Sequence, residues 1–220
     1  MRDGVSGIVL AGGHSRRMGC EKANLPWGRT TLIRHVTGAL RPIVDELLIV
    51  VKDARAFRHL NARVVEDLVP DAHALGGLYT GLRAAAHDLC FTCACDAPFL
   101  NPRLIRFLIA LAEGWDAVIP QTREGLLQPL HAVYARSALP AIEEHLRQRR
   151  WDLRALAQTA RVKIVGPELI ARYDPAGLSC VNLNTPSEYE TACAIDSSWN
   201  SSMTDAHHRT LRRLRVGCME

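Results

Sequence analysis

The chain has 220 residues, of which 48% are hydrophobic, and its formal net charge is +4. This length and composition suit one α/β domain with a substantial core. The charge is too small and too dispersed to support a nucleic-acid partner by itself, and we expect none. No apolar run is long enough to span a bilayer, and no secretory signal is visible, so we expect a cytoplasmic protein without a membrane partner.

Short apolar runs alternate with amphipathic stretches, which is typical of repeated βα units. We predict strands over residues 7–10, 46–51, 63–66, 89–95, 116–120, 131–135 and 162–165. We predict helices over residues 31–40, 54–60, 78–86, 102–113, 137–148, 152–158 and 187–194. This order indicates a three-layer α/β/α sandwich around a mostly parallel, Rossmann-like sheet, formed by residues 1–195. Residues 196–220 form a polar and then basic tail, for which a mobile segment, a helix docked on another subunit and a nucleic-acid arm are alternatives.

The first predicted strand leads into a loop, residues 10–22, that reads LAGGHSRRMGCEK. Glycine lets the backbone approach a ligand closely, successive N–H groups can cradle an anion, and cations can neutralise it. The loop is not G-x-G-x-x-G, because residue 14 is histidine, and it is not a Walker A loop, because Ala23 follows Lys22. A glycine-rich turn with incidental arginines is the alternative, but the whole string favours a site for a nucleoside triphosphate.

Two carboxylates follow predicted strands. Asp96 comes directly after strand 89–95, and Asp67 after strand 63–66. Ligands of open parallel sheets bind beyond the carboxyl ends of the strands, and Mg²⁺ takes carboxylate and phosphate oxygens, so Asp96 is a candidate magnesium ligand. A helix-capping role is the alternative for Asp96. Asp67 can face the same cleft, or act as a structural cap or a second metal contact.

Seven cysteines cannot all pair within one chain, and three of them lie close together in the predicted strand 89–95. Residues of a strand alternate between its faces, so Cys90 is expected to point away from Cys93 and Cys95. We therefore predict that these cysteines pack in the core and do not form a metal site.

Two further segments can contact a ligand. Residues 74–81 read ALGGLYTG and form a glycine-rich loop that opens a predicted helix, where anions and closely approaching ligands are favoured; a plain β-to-α turn is the alternative. Residues 181–186 read VNLNTP, and the two asparagines at i and i+2 would point to the same side of an extended segment. Turn chemistry before a helix is the alternative there.

These motifs resemble the molybdenum cofactor guanylyltransferases, often called MobA proteins, over about residues 5–195. The string LAGGxSxRMGxxK is similar to the family signature, and Gly12-Gly13 matches the guanylyl rather than the cytidylyl branch. The segment CDxP places Asp96 on the family's metal-binding aspartate, and residues 182–186 match Asn-x-Asn-Thr-Pro. Residues 73–77 resemble the family's Gly-Pro-Leu-x-Gly near the guanine, with Ala74 in place of proline.

The resemblance implies transfer of GMP from GTP to the phosphate of Mo-molybdopterin, with Mg²⁺ as cofactor and pyrophosphate as the product that leaves. The resemblance makes Lys22, Arg17 and Asp96 the catalytic residues, with Asp96 on the metal. It assigns GTP binding to Leu10, Ala11, Gly12, Gly13, Ser15, Lys22, Lys52, Asp67, Gly76, Gly77 and Asp96, although Lys52 stands where the family often has asparagine. It assigns contacts with the acceptor to Asn182, Asn184, Gln128 and His131, of which His131 could equally be a strand histidine.

The same resemblance implies transient contacts with molybdopterin-supplying proteins and recipient molybdoenzymes. Two rival functions stay open at this point. One is a related nucleotidyltransferase that uses CTP or a sugar-phosphate acceptor, and the other is a non-catalytic GTP-binding module that delivers the cofactor. Hydrolase motifs such as H-E-x-x-H and G-x-S-x-G are absent from the sequence.

Overall fold

The computed structural model describes residues 4–12, 22–57 and 60–196. Its strands are β1 (Val5–Leu10), β2 (Pro26–Trp27), β3 (Thr30–Thr31), β4 (Glu46–Val51), β5 (Arg63–Glu66), β6 (Leu89–Ala94), β7 (Ala117–Pro120), β8 (His131–Ala135) and β9 (Val162–Val165). Its helices are α1 (Leu32–Leu40), α2 (His73–Ala84), α3 (Pro102–Ala110), α4 (Leu139–Arg147), α5 (Pro167–Ala171) and α6, which covers residues 186–196.

Seven strands form one sheet in the order β5-β4-β1-β6-β8-β7-β9, and β2 and β3 form a separate small hairpin. Neighbours in the large sheet are parallel, except that β8 is antiparallel to both β6 and β7. The predicted α/β class and mostly parallel sheet are therefore confirmed. Strand β6 is buried along its whole length, as expected for a central strand that is covered on both faces.

Helices cover both faces of the sheet, and consecutive residues of β1 divide the two layers. Val9 packs in the layer that contains α1 and α3 residues such as Leu104. Ile8 packs in the layer that contains α2 and α4 residues such as Leu78. The pattern repeats on β6, where Cys90 lies in the second layer while Cys93 and Cys95 lie in the first. All three cysteines are free and buried, as predicted.

The predicted loop over residues 74–77 is wrong, because α2 begins at His73 and not at residue 78. Gly76 and Gly77 are buried residues of this helix. A Cβ on Gly76 would collide with the carbonyl oxygen of Val69, and one on Gly81 would lie 2.6 Å from Ile8 Cγ2. These glycines let the helix approach its neighbours closely, and that packing outweighs their poor helix propensity.

Other boundaries also differ from the predictions. A helix was predicted over residues 54–60, and the structure has a 3₁₀ helix, Ala54–Phe57, within that range. Residues 152–158 contain a second 3₁₀ helix, Leu153–Gln158. The Asp152 carboxylate caps it by accepting from Arg154 N at 3.0 Å. Helix α5 and the β2–β3 hairpin were not predicted. The predicted tail lies outside the described residues, apart from Asp196, which still belongs to α6. None of the helices in the described ranges has the length and apolar character that crossing a membrane requires.

Candidate active site

The carboxyl ends of the parallel strands β1, β4, β5 and β6 meet at one edge of the sheet. The backbone hydrogen bonds between neighbouring strands continue one residue beyond the strand ends. Ala11 N donates to Val50 O at 2.8 Å, and Cys95 N donates to Leu10 O at 3.0 Å. The strand order reverses between β1 and β6, since the chain runs outward from β1 through β4 to β5 and then returns to β6. Ligands of doubly wound sheets bind at such a switch point, and Asp96 follows β6 there.

Lys22 joins two distant parts of the chain at this point. Its Nζ lies 2.6 Å from Asp96 Oδ2 and 3.0 Å from Asn184 Oδ1, although these residues are 74 and 162 positions further along the chain. The side chains of Lys22 and Asp96 are only 13% and 12% exposed. Such a charge-assisted bond in a poorly solvated place is stronger than an exposed ion pair. The structure thus brings together three residues that the sequence assigned to the substrates and the metal.

The C-terminal segment is tied to this edge by several bonds. Leu183 N donates to Asp96 O at 3.0 Å, and the Leu183 side chain is buried beside Trp27 of the hairpin. Asn182 contributes its carbonyl oxygen, which accepts from Asn184 Nδ2 at 3.4 Å. Tyr189 of α6 donates its hydroxyl proton to the carbonyl of Pro26. The backbone between the two asparagines is therefore held against Asp96 by the packing of Leu183 and by its hydrogen bond.

Glu188 fixes Asn184 and was missed at the sequence level. One of its carboxylate oxygens accepts from Asn184 N at 2.6 Å and from Thr185 N at 2.9 Å, while Glu188 N donates to Thr185 Oγ1 at 3.2 Å. This is a capping box at the start of α6, and its sequence signal was the Thr-x-x-Glu spacing at residues 185–188. Glu188 therefore fixes the backbone at Asn184, the residue whose side-chain oxygen accepts from Lys22.

Asp67 has bonds of a structural kind. Its Oδ1 accepts from Val69 N and from Thr80 Oγ1, each at 3.0 Å, so it caps the turn after β5 and ties it to α2. β5 lies three strands from β6, which corresponds to about 14 Å at the usual strand spacing. Asp67 therefore cannot ligate a metal jointly with Asp96. No group of three or more His, Cys, Asp or Glu side chains suited to a metal exists in the described part of the chain.

Comparison with known proteins identifies the family. The family model described as MobA-like NTP transferase domain matches residues 7–163. The chain belongs to the MobA-like NTP transferase family. It is 38% identical over 184 residues to a probable molybdenum cofactor guanylyltransferase of Pelotomaculum thermopropionicum, covering 84% of this chain and 89% of the relative. It is 36% identical over 192 residues to the molybdenum cofactor guanylyltransferase of Desulfosudis oleivorans, covering 86% and 95%.

Solved structures agree with this assignment. The molybdopterin-guanine dinucleotide biosynthesis protein A of Archaeoglobus fulgidus superposes with a TM-score of 0.78 at 27% identity, covering 88% of this chain and 99% of that structure. A nucleotidyl transferase of Methanothermobacter thermautotroptrophicus gives a TM-score of 0.65 at 21% identity, covering 87% and 97%, which shows a common fold. As a member of the MobA-like family, the chain is a nucleotidyltransferase.

The MobA-like phosphate loop is only partly described. Gly13, Ser15 and Arg17 lie outside the described residues, so their assignment to GTP stays a prediction. Leu10, Ala11 and Gly12 lie at the site edge, and a Cβ on Gly12 would be 3.3 Å from Lys52 Cγ, which places the exposed Lys52 beside the start of the loop. Gly77 lies close to Leu10, since a Cβ on Gly77 would be 3.2 Å from Leu10 Cδ2.

His131 occupies the site edge from the antiparallel strand β8, where it pairs with Cys93. It is 2% exposed, its ring meets Phe91 edge-on at 5.1 Å, and neither ring nitrogen has a hydrogen-bond partner among the described residues. Burial lowers the pKa of His131 to about 4, so the ring is neutral near pH 7. Gln128 forms the turn before it, accepting from His131 N at 3.0 Å. The acceptor role of both residues stays a prediction, and His131 has almost no surface available to a substrate.

Proposed function

We propose that this protein transfers GMP from GTP to the phosphate of Mo-molybdopterin, forming the guanine dinucleotide cofactor and releasing pyrophosphate. The meeting of Lys22, Asp96 and Asn184 at the switch point of the sheet is the observation that carries the proposal. It supplies a cation for phosphate, a carboxylate for a metal and an amide for orientation in one place. The relatives named guanylyltransferase support the choice of GTP and molybdopterin as substrates.

The residues present fit a magnesium ion. Asp96 offers one carboxylate at the switch point of the sheet. In proteins, Mg²⁺ commonly takes one or two carboxylates together with phosphate oxygens and water. A bound Mg²⁺ would neutralise negative charge on the phosphates as pyrophosphate leaves. Lys22 Nζ bonds to Oδ2 of Asp96, and an ionised carboxylate has further acceptor sites on both oxygens, so Asp96 could hold Mg²⁺ with Lys22 still beside it. An ammonium has three N–H donors, so Lys22 could bind a phosphate oxygen as well.

The chemistry needs positioning more than proton transfer. A phosphate oxygen of the acceptor attacks the α-phosphorus of GTP, a new P–O bond forms, and the bond to pyrophosphate breaks. The attacking phosphate is already an anion, so no strong general base is required. Lys22 would stabilise the charge that develops on the phosphates, and Asn184 would hold the lysine in line with them. The phosphate loop, with Arg17 and Ser15, would bind the rest of the triphosphate.

Pyrophosphate release tests the proposal. Purified protein is incubated with Mo-molybdopterin and Mg²⁺, and with GTP, CTP, ATP or UTP. We expect release with GTP and a requirement for the divalent cation that chelation abolishes. CTP-selective release would keep nucleotidyl transfer but overturn the choice of GTP. Tight GTP binding without release would favour a non-catalytic delivery module. A cytoplasmic location and transient contacts with molybdopterin-supplying proteins and recipient molybdoenzymes belong to the same proposal.

A further inference from the structure

A cavity of about 400 Å³ lies beyond the carboxyl ends of β7 and β9. The loop after β7 (residues 121–124), helix α5 and residues 174–181 line it. Its volume falls in the range of sites for small molecules. Val181 forms part of its wall, and Leu183, two residues later, donates its N–H to Asp96 O. The cavity is thus joined to the active site through the Asn-x-Asn segment.

The cavity and the strands β4 and β5 lie on opposite sides of β6. In the sheet, β4 and β5, which Lys52 and Asp67 directly follow, lie to one side of β6, whereas β7 and β9 lie to the other. From β6 to β7 is two strand spacings, or about 10 Å. The pyran ring and the phosphate-bearing carbon of a molybdopterin whose phosphate lies near Asp96 can bridge this span. A nucleotide held at β1 and β4 leaves this cavity to the second substrate.

Asp174 is the buried charge in this cavity. It is 6% exposed, and its Oδ2 accepts from Ser179 N at 2.8 Å. Across the described ranges, no donor is bonded to its Oδ1. Cys180, another wall residue, has a thiol pKa raised to about 12, first by burial and then by the neighbouring carboxylate of Asp174. With one backbone N–H bonded to Oδ2, the carboxylate keeps acceptor sites for a ligand that brings further N–H groups.

The remaining wall suits a flat ring. Pro167, Ile170, Ala171 and Pro175 give it an apolar surface near the carboxylate. A 2-amino-4-oxo pyrimidine ring presents two N–H donors side by side, its ring N–H and its amino group, and a carboxylate accepts such a pair as it accepts a guanidinium. An ionised carboxylate has acceptor sites for both in addition to the Ser179 N–H.

We propose that Asp174 binds the pyrimidine edge of the acceptor's pterin ring, which the apolar wall of the cavity holds flat. This inference rests on the proposed function, because it names the residue that recognises the second substrate of that reaction. Guanine carries the same pair of donors. The position of the cavity, away from β4 and β5, assigns Asp174 to the pterin. The sequence signal was an aspartate before proline at residues 174–175, which by itself indicates only a turn.

Asp174→Asn tests the assignment with little change of shape. The amide oxygen still accepts from Ser179 N, so the loop is kept, but the second anionic oxygen is lost. In the pyrophosphate assay we expect the KM for Mo-molybdopterin to rise about tenfold or more, because a charge-assisted pair is lost, and the KM for GTP to change less than twofold. Glu113→Gln is the matched control: it removes an exposed carboxylate that lies just after α3 and outside the cavity lining, and it should leave both KM values unchanged.

The outcomes separate this inference from the proposed function. Absence of GMP transfer by the wild-type protein overturns the proposed function. Wild-type transfer with an unchanged acceptor KM in Asp174→Asn overturns this inference alone, and a raised KM for GTP instead would assign Asp174 to guanine and also overturn it. Inhibition of the wild type decides the matter if the variant does not fold. Pterin should compete with the acceptor, and 2,4-dioxopteridine, which lacks the amino group, should compete at least fivefold less well. Equal inhibition would overturn the inference.

Discussion

Replacement of His131 by leucine is expected to remove much of the protein's sensitivity to mild acid. The imidazole projects from β8, the strand between β6 and β7. It is buried, it packs edge-on against Phe91, and no described residue bonds to its nitrogens. Leucine has a similar volume and loses no hydrogen bond there. At pH 7 we therefore expect the free energy of unfolding to stay within about 1 kcal/mol of the wild-type value.

The magnitude follows from the two pKa values of His131. Its pKa is about 4 in the folded protein and about 6.5 in an unfolded chain. Between these values the unfolded state binds the proton and the folded state does not, so the wild type loses stability as the pH falls from 6.5 to 4. The loss between pH 7 and pH 5 is about 2 kcal/mol, and by pH 4 it approaches about 3 kcal/mol.

Urea unfolding followed by tryptophan fluorescence at pH 7, 6 and 5 measures this effect. The variant and the wild type share every other titrating group. Hydrogen bonds from Arg161 lower the pKa of Asp116 to about 2, so this carboxylate stays ionised throughout the range. The difference in unfolding free energy between variant and wild type should therefore grow by about 2 kcal/mol in favour of the variant from pH 7 to pH 5. A difference that stays constant within about 0.5 kcal/mol would refute a buried, neutral His131.

Three substitutions at the active site test separate roles. Asp96→Ala should lower kcat for GMP transfer at least about 100-fold, because the metal and Lys22 lose their carboxylate; near-normal turnover with GTP and Mg²⁺ would refute the metal assignment. Lys22→Ala should mainly raise the KM for GTP, by about tenfold or more, measured by initial rates, and an unchanged KM would place the lysine elsewhere in the reaction. Glu188→Gln keeps one acceptor for the N–H groups of residues 184 and 185 but weakens both bonds, so kcat should fall about threefold with the melting temperature nearly unchanged. A lower melting temperature with an unchanged kcat would make Glu188 purely structural.

Much of the fold could be predicted because the strands are short apolar runs with polar ends. The bounds of β4, β5, β8 and β9 match the predictions. The direction of β8 could not be predicted, because periodicity shows that a segment is a strand but not which way it runs. The start of α2 was missed for a different reason. Adjacent glycines indicate a loop by propensity, whereas the contact of Gly76 with the Val69 carbonyl exists only in the folded protein.

Only part of the candidate site could likewise be predicted from the sequence. Residues within two positions of the end of a strand, such as Gly12 and Asp96, could be placed at one edge of the sheet from the parallel order alone. The bond between Lys22 and Asn184 could not, since no local pattern relates positions 162 residues apart. Asp67 was predicted to contact the nucleotide, and its observed bonds are those of the structural cap that the sequence also allowed.

The two residues of the Lys22–Asn184 bond are synthesised at very different times, because they lie 162 positions apart in the chain. The nine strands of the described residues are complete by Val165, so the sheet edge, Asp96 and Lys22 leave the ribosome before the segment that contains Asn184. A chain that stops short of residue 182 would keep every described strand and still lack Asn184 and the Glu188 cap. During synthesis Lys22 can therefore pair with Asp96 first, and its second partner, Asn184, becomes available only later.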